Sequence, residues 1–415
     1  MQDSFAAVAR ELITTVEPGF DFLTLRASCS GGGYSLRLTS GPSEQDVIVW
    51  GQLTSLSAVG EERPVVFEMR IEPDGTFEAY VTSDIVQRTG YLPPTYTVVL
   101  EPRFRPDAHN ASSLAEVEAV IGASLPADVH ELYASGVEEI GDARLRPVDD
   151  ILDLWRTLND IQHSPDDWYR PVQYVGPPGA VRMVQFDLKW VPIACNDWGD
   201  YLCVDLAPGP GGKVGQLIQV AGEVPLMHLA DSLTDWLRSP EVPDYQDLEA
   251  HFDVDDRVAT LPDTLQVLTL RKPGDLDFGL LARLTSLREL TIVDGTSVRL
   301  GALAHLPLER LEITGTEIEL PACETLTSLV VTGGRVELPS LPNLRVLDVA
   351  RTEVDVESLP QVDYLSLNSE QWQRCAQTPA AATLAGESSL ERALDWARER
   401  GAGLTGEVIR GTAAS

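Results

Sequence analysis

The sequence predicts an α+β protein with three main parts: an α+β module at residues 1–106, a second α+β domain at 107–240 and a repeating solenoid at 261–370. Three observations favour this fold class. The chain has 415 residues, which is too long for a single hydrophobic core. Alternating apolar strands are mixed with amphipathic helices up to about residue 240. Beyond residue 260, a leucine pattern recurs at regular intervals.

The charge of the chain favours protein partners. It has 31 Lys and Arg residues against 64 Asp and Glu residues, a formal net charge of −33. Such a field repels nucleic acids and anionic membranes and attracts basic proteins. We therefore expect a basic protein partner, with no nucleic-acid or membrane binding. The alternative, that the acids serve solubility alone, stays open at this point.

Several features predict a cytoplasmic protein. The start, "MQDSFAAVAR", lacks the basic and apolar regions of a signal peptide. Apolar runs such as "YTVVL" are far shorter than the roughly 20 residues that span a bilayer. The five cysteines, at positions 29, 195, 203, 323 and 375, show no paired spacing, which suits a reducing compartment. The oligomeric state is not predicted by any of these features.

The N-terminal module, residues 1–106, begins with an amphipathic helix in "SFAAVARELITTV". Farther along, "PDGT" separates two alternating runs and predicts a hairpin between Val66–Ile71 and Phe77–Val81. The hairpin sequence "FEMRIEPDGTFEAYV" is similar to YezG-like bacterial immunity proteins. The role of this module is not predicted.

The next part begins after a polar linker, "EPRFRPDAHN". Two short helices are predicted in "SSLAEVEAVIGASLPADVHELYASG", and "RLRPVDDILDLW" predicts a short strand followed by a helix. Two strands joined by a turn follow in "KWVPIACNDWGDYLCVDL", and "HLADSLTDWLRS" predicts a closing helix. Residues 107–240 therefore form an ordered α+β domain.

This order of elements resembles the SUKH superfamily, which includes fungal cell-wall assembly regulators and many bacterial relatives. The resemblance includes Leu125-Pro126 at a helix entry and the segment Leu145–Pro147 before the next helix. Its densest block matches Trp190, Pro192, Ile193, Asp197, Gly199, Asp200, Leu202, Asp205, Leu206 and Pro208. The resemblance implies a noncatalytic protein-binding domain, because bacterial relatives neutralise toxins by direct binding.

The block from Val191 to Val220 contains the candidate site. Catalysis would need a nucleophile with its base or carboxylates with different pKa values, and no histidine lies near. A zinc site would need a second cysteine pair. The favoured interpretation is a hairpin whose turn is held by Asx-type hydrogen bonds, with a glycine at positive φ. The candidate partner contacts here are Asp197, Trp198, Asp200 and Asp205; no catalytic residue, metal or cofactor is predicted.

A plain structural turn stays an alternative to a contact surface at the tip formed by Asp197 and Trp198. Beyond this domain, residues 241–260 are predicted to be an acidic spacer, and residues 371–415 a C-terminal helix and tail. The helix, in "SSLERALDWARERGAG", is expected to cap the solenoid, with "TPAAATLAGE" before it as a linker.

The solenoid at 261–370 is predicted from a repeated hexamer, L-x-x-L-x-L. Its copies start 22, 21, 18, 18 and 18 residues apart, and such units must stack to bury their apolar edges. The pattern resembles a leucine-rich repeat. The two longer repeats have room for short helices at "FGLLARLTS" and "LGALAHL". The hexamer residues are Leu265/Leu268/Leu270, Leu287/Leu290/Ile292, Leu308/Leu311/Ile313, Leu326/Leu329/Val331, Leu344/Leu347/Val349 and Val362/Leu365/Leu367.

Between the last two hexamer positions, one residue per repeat should point away from the core. These residues predict a concave face of the kind that solenoids use to bind proteins. An alternative is that the short solenoid only docks on its neighbouring domain. The candidate partner contacts in these positions are Thr269, Thr291, Glu312, Asp348 and Ser366.

The SUKH resemblance implies a noncatalytic immunity protein, and the acidic charge favours a basic toxin as its partner, with nucleases as a suitable class because they hold phosphates. The alternative is an adaptor or regulatory scaffold that recruits a cellular protein through the repeats. An enzyme is the third hypothesis.

Overall fold

A computed structural model of the chain describes residues 2–413 except 17, 31–32, 43–44, 48–52, 58, 60–64, 89–94, 101–110, 161–168, 170, 221–224, 246–247, 254–255 and 388. The predicted linker at 101–110 and the domain boundary at 107 lie outside the described residues. Helices and strands are both abundant, and the strands form several sheets. This confirms the α+β class. Contacts divide the chain into two compact units, Met1–Pro102 with Leu347–Ser415, and Arg103–Val346.

The helices and strands are numbered in chain order. The helices are α1 Gln2–Thr15, α2 Thr54–Ser57, α3 Leu114–Ile121, α4 Ala127–Ser135, α5 Val148–Asp160, α6 Leu233–Arg238, α7 Ser369–Arg374 and α8 Leu390–Glu399. The strands are β1 Leu23–Ser30, β2 Gly33–Ser40, β3 Gln45–Asp46, β4 Val65–Ile71, β5 Thr76–Thr82, β6 Val86–Arg88, β7 Thr95–Val99, β8 Glu139–Ile140, β9 Ala143–Leu145, β10 Tyr174–Val175, β11 Trp190–Cys195, β12 Tyr201–Asp205, β13 Gln216–Val220, β14 Leu226–Ala230, β15 Glu249–Asp253, β16 Val267–Arg271, β17 Glu289–Arg299, β18 Arg310–Glu319, β19 Ser328–Arg335, β20 Val346–Glu353, β21 Tyr364–Asn368, β22 Ala381–Ala385 and β23 Glu407–Thr412. Among the described residues, no helix is both long enough and apolar enough to cross a bilayer.

The first unit contains a six-stranded sheet in the order β23-β5-β4-β1-β2-β3. Helix α1 packs on it, with Phe5 edge-on to Phe67 at 4.8 Å between ring centroids. The predicted hairpin is confirmed, because β4 and β5 are antiparallel and Ile71 pairs with Phe77.

The C-terminal strand returns to this N-terminal sheet. β23 pairs antiparallel with β5 over six residues, from Glu407 opposite Val81 to Thr412 opposite Thr76. An edge strand presents unpaired backbone N–H and C=O groups, and β23 satisfies those of β5. Residues 371–415 therefore contribute a sheet strand in addition to the predicted helix and tail.

The predicted linker "TPAAATLAGE" is wrong, because it contains β22. This strand is buried and lies between β21, with which it is parallel, and β7, with which it is antiparallel. The Thr383 hydroxyl lies 2.7 Å from that of Thr97 and 2.9 Å from that of Tyr364. Small side chains suit a strand flanked on both sides, which is why the leucine pattern does not mark it.

The second unit contains a seven-stranded sheet in the order β10-β14-β13-β12-β11-β9-β8. Residues from α3, α4, α5 and α6 share its core, including the buried side chains of Val117, Val129, Trp155 and Trp236. The helices and strands predicted for residues 107–240 are thus all present.

A parallel ladder, β15–β19, completes the second unit. Its register matches the hexamer prediction, because Leu268 pairs with Leu290, Leu290 with Leu311 and Leu311 with Leu329. All four leucines are fully buried. The last two hexamers contribute to β20 and β21, in which Leu347, Val349, Leu365 and Leu367 are also fully buried.

The ladder begins earlier than predicted. β15 lies inside the expected acidic spacer 241–260 and pairs with β16, with Ala250 opposite Leu268 and Phe252 opposite Leu270. Ala and Phe in place of leucine hid this strand from the repeat pattern. The helices expected in the two longer repeats are 3₁₀ turns at Phe278–Arg283 and Gly301–Leu303.

Candidate functional site

The turn between β11 and β12 is built by one asparagine side chain. Asn196 Oδ1 accepts the backbone N–H of Trp198 at 3.0 Å and that of Asp200 at 2.9 Å. Its Nδ2 donates to Asp200 Oδ2 at 2.9 Å. Gly199 has φ of +86°, a conformation that glycine adopts without steric cost. The predicted Asx-type turn is confirmed, and we call Asn196–Asp200 the hairpin tip.

The hairpin tip presents an aromatic side chain to solvent. Trp198 is 89% exposed, the most exposed of the large apolar side chains described. Asp197 beside it is exposed, and Asp200 is half-buried. A large indole on a fixed turn is a ready anchor for a protein partner, because it buries much area and loses little conformational entropy.

Asp205 is buried and lies away from this surface. The prediction that it contacts a partner is therefore wrong. Its side chain is 0% exposed, and its two oxygens accept from Ala207 N at 2.9 Å and Gln216 Nε2 at 2.8 Å. Gln216 also donates to Ala180 O and accepts from Lys213 N. Burial raises the pKa of the Asp205 carboxyl. Asp205 therefore organises the loop after β12.

The two cysteines of this hairpin are packing groups. Cys203 is fully buried, and burial raises the pKa of its thiol well above the usual range. Cys195 is half-buried beside Arg146, with 3.8 Å between Arg146 Nη1 and the sulfur. Within the described ranges, no group of three or more His, Cys, Asp or Glu side chains could hold a metal ion.

The predicted outward-facing positions on the ladder lie side by side. Thr269 pairs with Thr291, Thr291 with Glu312, and Glu312 with Val330. All are half-buried, and Glu312 Oε2 lies 3.3 Å from Arg310 Nη2. These residues form one face of the ladder, and their role in binding stays a prediction.

Two further candidates lie in the first unit. Asp348 is half-buried and accepts the backbone N–H of Ala350 at 3.1 Å. Ser366 is only 1% exposed, which corrects its prediction as a surface contact. The reason is its position on β21, where Ser366 pairs with the buried Thr383 of β22.

A contact between the seven-stranded sheet and the ladder was not predicted from the sequence. Gln266, just before β16, accepts from Tyr174 N at 2.9 Å and donates to Tyr174 O at 2.7 Å. One side-chain amide thus satisfies both backbone groups of a residue on the edge strand β10. Arg288, just before β17, donates to Val172 O and pairs with Glu309 at 2.7 Å. The two parts of the second unit are docked through these side chains.

Comparisons with known proteins concern the domain that carries the hairpin tip. Residues 110–239 match the model of the SMI1 / KNR4 family (SUKH-1). A KNR4/SMI1 homolog of Kluyveromyces lactis is 42% identical over 48 residues, which are 12% of this chain and 9% of that protein. The Schizosaccharomyces pombe cell wall biosynthesis/cell cycle regulator smi1 is 48% identical over 42 residues, 10% of this chain and 8% of its own.

The Saccharomyces cerevisiae cell wall assembly regulator SMI1 is 44% identical over 48 residues, 12% of this chain and 10% of that protein. The chain thus spans about a tenth of the length of the curated relatives it matches. The YezG-like and leucine-rich-repeat resemblances stay predictions. The SUKH resemblance is confirmed, and residues 110–239 form a domain of the SMI1 / KNR4 family (SUKH-1).

Proposed function

We propose that this chain is a noncatalytic cytoplasmic protein that neutralises a basic bacterial toxin, such as a nuclease, by direct binding. The observation that carries the proposal is the 89% exposure of Trp198 on a turn fixed by side-chain hydrogen bonds. An exposed tryptophan has an unfavourable contact with water that a partner can relieve. Hot spots of protein interfaces are enriched in this residue type.

The charge of the chain supports a basic partner. A formal net charge of −33 speeds the encounter with a positively charged protein at low salt. Nuclease domains are typically basic because they bind phosphates. Asp197 and Asp200 place carboxylates next to the indole, so the same contact can combine apolar burial with ion pairing.

Co-expression tests the proposal. Genes next to this one are first induced alone to identify one whose product stops growth, and that toxin is then induced in cells that carry the whole protein or its Trp198→Ala/Asp200→Ala variant. We expect the whole protein to restore growth and to copurify with the toxin, and the variant to do neither while remaining folded. Absence of both rescue and complex with the whole protein would remove the proposal.

A second candidate function is an adaptor or regulatory scaffold that recruits a cellular protein through the ladder. The names of two fungal relatives, a cell wall biosynthesis/cell cycle regulator and a cell wall assembly regulator, favour it. An adaptor would bind its partner without protecting cells from a toxin. A gene with no toxin gene beside it, together with loss of the partner on Thr291→Lys but not on Trp198→Ala, would favour this alternative.

A further inference from the structure

The hairpin tip and the ladder lie at the same end of the seven-stranded sheet. Tyr201, which follows the tip, pairs with Val220 at the end of β13. β14 begins at that end and runs back along β13. β10 is parallel to β14, with Tyr174 opposite Leu226, the first residue of β14. Tyr174 is also the residue that Gln266 of the ladder holds through its N–H and C=O groups.

We call Tyr174, where Gln266 binds, the docking point. The distance across the sheet between the hairpin tip and the docking point follows from the strand order. β12 and β10 are three strands apart in the sheet, and adjacent strands are about 4.8 Å apart, so the tip is displaced from the docking point by roughly 15 Å. An ordinary protein interface covers about 800 Å² on each partner, a patch roughly 30 Å across. A footprint of that width with Trp198 near one margin therefore extends past the docking point to the near end of the ladder.

That near end carries ionic side chains. Glu289 and Arg310 are the first residues of β17 and β18, and Glu312 follows two residues later. Arg310 lies 3.5 Å from Glu289 and 3.3 Å from Glu312. The Glu312 side chain is 41% exposed, and Thr291 is beside it on β17. A partner cation can join this network at Glu312 without breaking it, because that exposed carboxylate has further acceptor sites.

We infer that the hairpin tip and the near end of the ladder form one composite surface that holds a single basic protein. The indole of Trp198 enters an apolar recess of the partner, and a Lys or Arg side chain of the partner meets Glu312, the exposed carboxylate of the network. This inference rests on the proposed function and adds a second contact region to it.

The docking contacts explain why two separate elements can act together. Gln266 Oε1 accepts the backbone N–H of Tyr174 at 2.9 Å, and the Arg288 guanidinium donates to the backbone carbonyl of Val172. The partner therefore meets both regions in a fixed geometry, and little entropy is lost in bringing the second region to it.

Four variants of the full chain test the composite surface, with the toxin domain encoded beside the gene as the probe. Trp198→Ala and Glu312→Lys alter the two proposed regions. Val214→Ala is the control for the first, because Val214 is 70% exposed and lies near Gln216, at the other end of the sheet. Glu319→Lys is the control for the second, because Glu319 is an exposed residue at the other end of β18.

Affinity is measured by calorimetry at one fixed salt concentration, and melting checks that each variant is folded. We expect Trp198→Ala and Glu312→Lys each to weaken binding at least about tenfold, and each control to change it less than about threefold. If Glu312→Lys is destabilised, Thr291→Lys replaces it, since that change adds a charge beside Glu312 and removes no ion pair; the same loss is expected.

The outcomes separate the two proposals. Weakening by Trp198→Ala with no effect of the ladder variants would overturn the composite surface and leave the proposed function standing. An effect of the ladder variants without one of Trp198→Ala would also overturn it. If the toxin domain does not bind the unaltered chain, the proposed function fails and the composite surface fails with it.

Discussion

Replacing Asn196 by alanine should loosen the hairpin tip without removing its tryptophan. The change deletes two hydrogen bonds from backbone N–H groups to Asn196 Oδ1, at 3.0 and 2.9 Å, and one from Nδ2 to Asp200 at 2.9 Å. Each such bond contributes about 0.5–1.5 kcal/mol net. Because the tip is partly exposed and water replaces some of these bonds, we expect the free energy of unfolding to fall by roughly 1–2 kcal/mol.

Two measurements read this change. Urea unfolding gives the loss in free energy from the shift of the midpoint. Hydrogen exchange should show faster exchange of the Trp198 and Asp200 amides, whose acceptor has been removed, while amides of β13 change less. Dissociation of a bound partner should become several-fold faster, because the loosened tip must be ordered on binding.

Asn196→Asp is the matched comparison. It keeps an acceptor oxygen for both N–H groups, loses the donor to Asp200 and places two carboxylates together. We expect amide protection close to that of the unaltered chain, with a loss of stability from the repulsion between the two carboxylates. Unchanged unfolding and amide exchange in Asn196→Ala would refute the reasoning that this side chain organises the tip.

Three further predictions follow from the core. Leu329→Asp should lower the free energy of unfolding by roughly 4 kcal/mol or more, since the leucine is fully buried. Val330→Asp, on the half-exposed face of the ladder, should lower it much less. Equal melting temperatures of the two variants would contradict the predicted register. Burial raises the pKa of Asp205 in the folded state, so folding binds a proton there and the stability from this group falls as pH rises from about 3.9 through the folded pKa. Asp205→Asn should remove this slope in unfolding curves, and an unchanged pH dependence would argue against it. Cys195→Ala and Cys203→Ala should retain partner binding and lose at most a few kcal/mol, and stoichiometric zinc in the purified protein would contradict their role as packing groups.

Local features were predictable from the sequence because their causes are local. The hairpin tip depends on Asn196 and Gly199, which act within five residues of the chain. The hexamer register depends on leucines that repeat every 18 to 22 residues, and stacking then fixes which strands are neighbours.

Distant pairings were not predictable, because nothing local records them. β23 pairs with β5 more than 300 residues earlier in the chain, and its sequence does not mark it as a strand of that sheet. Gln266 looks like a polar residue before a strand until Tyr174, 92 residues away, is brought to it. Asp205 belongs to an acidic stretch, yet its strand position beside Gln216 buries it. Ser366 was misplaced for the same reason, since β22 was not expected beside it.

The most direct test of the account is the kinetics of the complex between the full chain and the toxin domain encoded beside its gene, for the unaltered protein and for Trp198→Ala. Charge steers encounter, so the association rate of both should fall steeply between about 50 and 150 mM salt. Loss of the indole should instead raise the dissociation rate by roughly ten- to a hundredfold. An association rate that ignores salt, or a dissociation rate that Trp198→Ala leaves unchanged, would contradict the account.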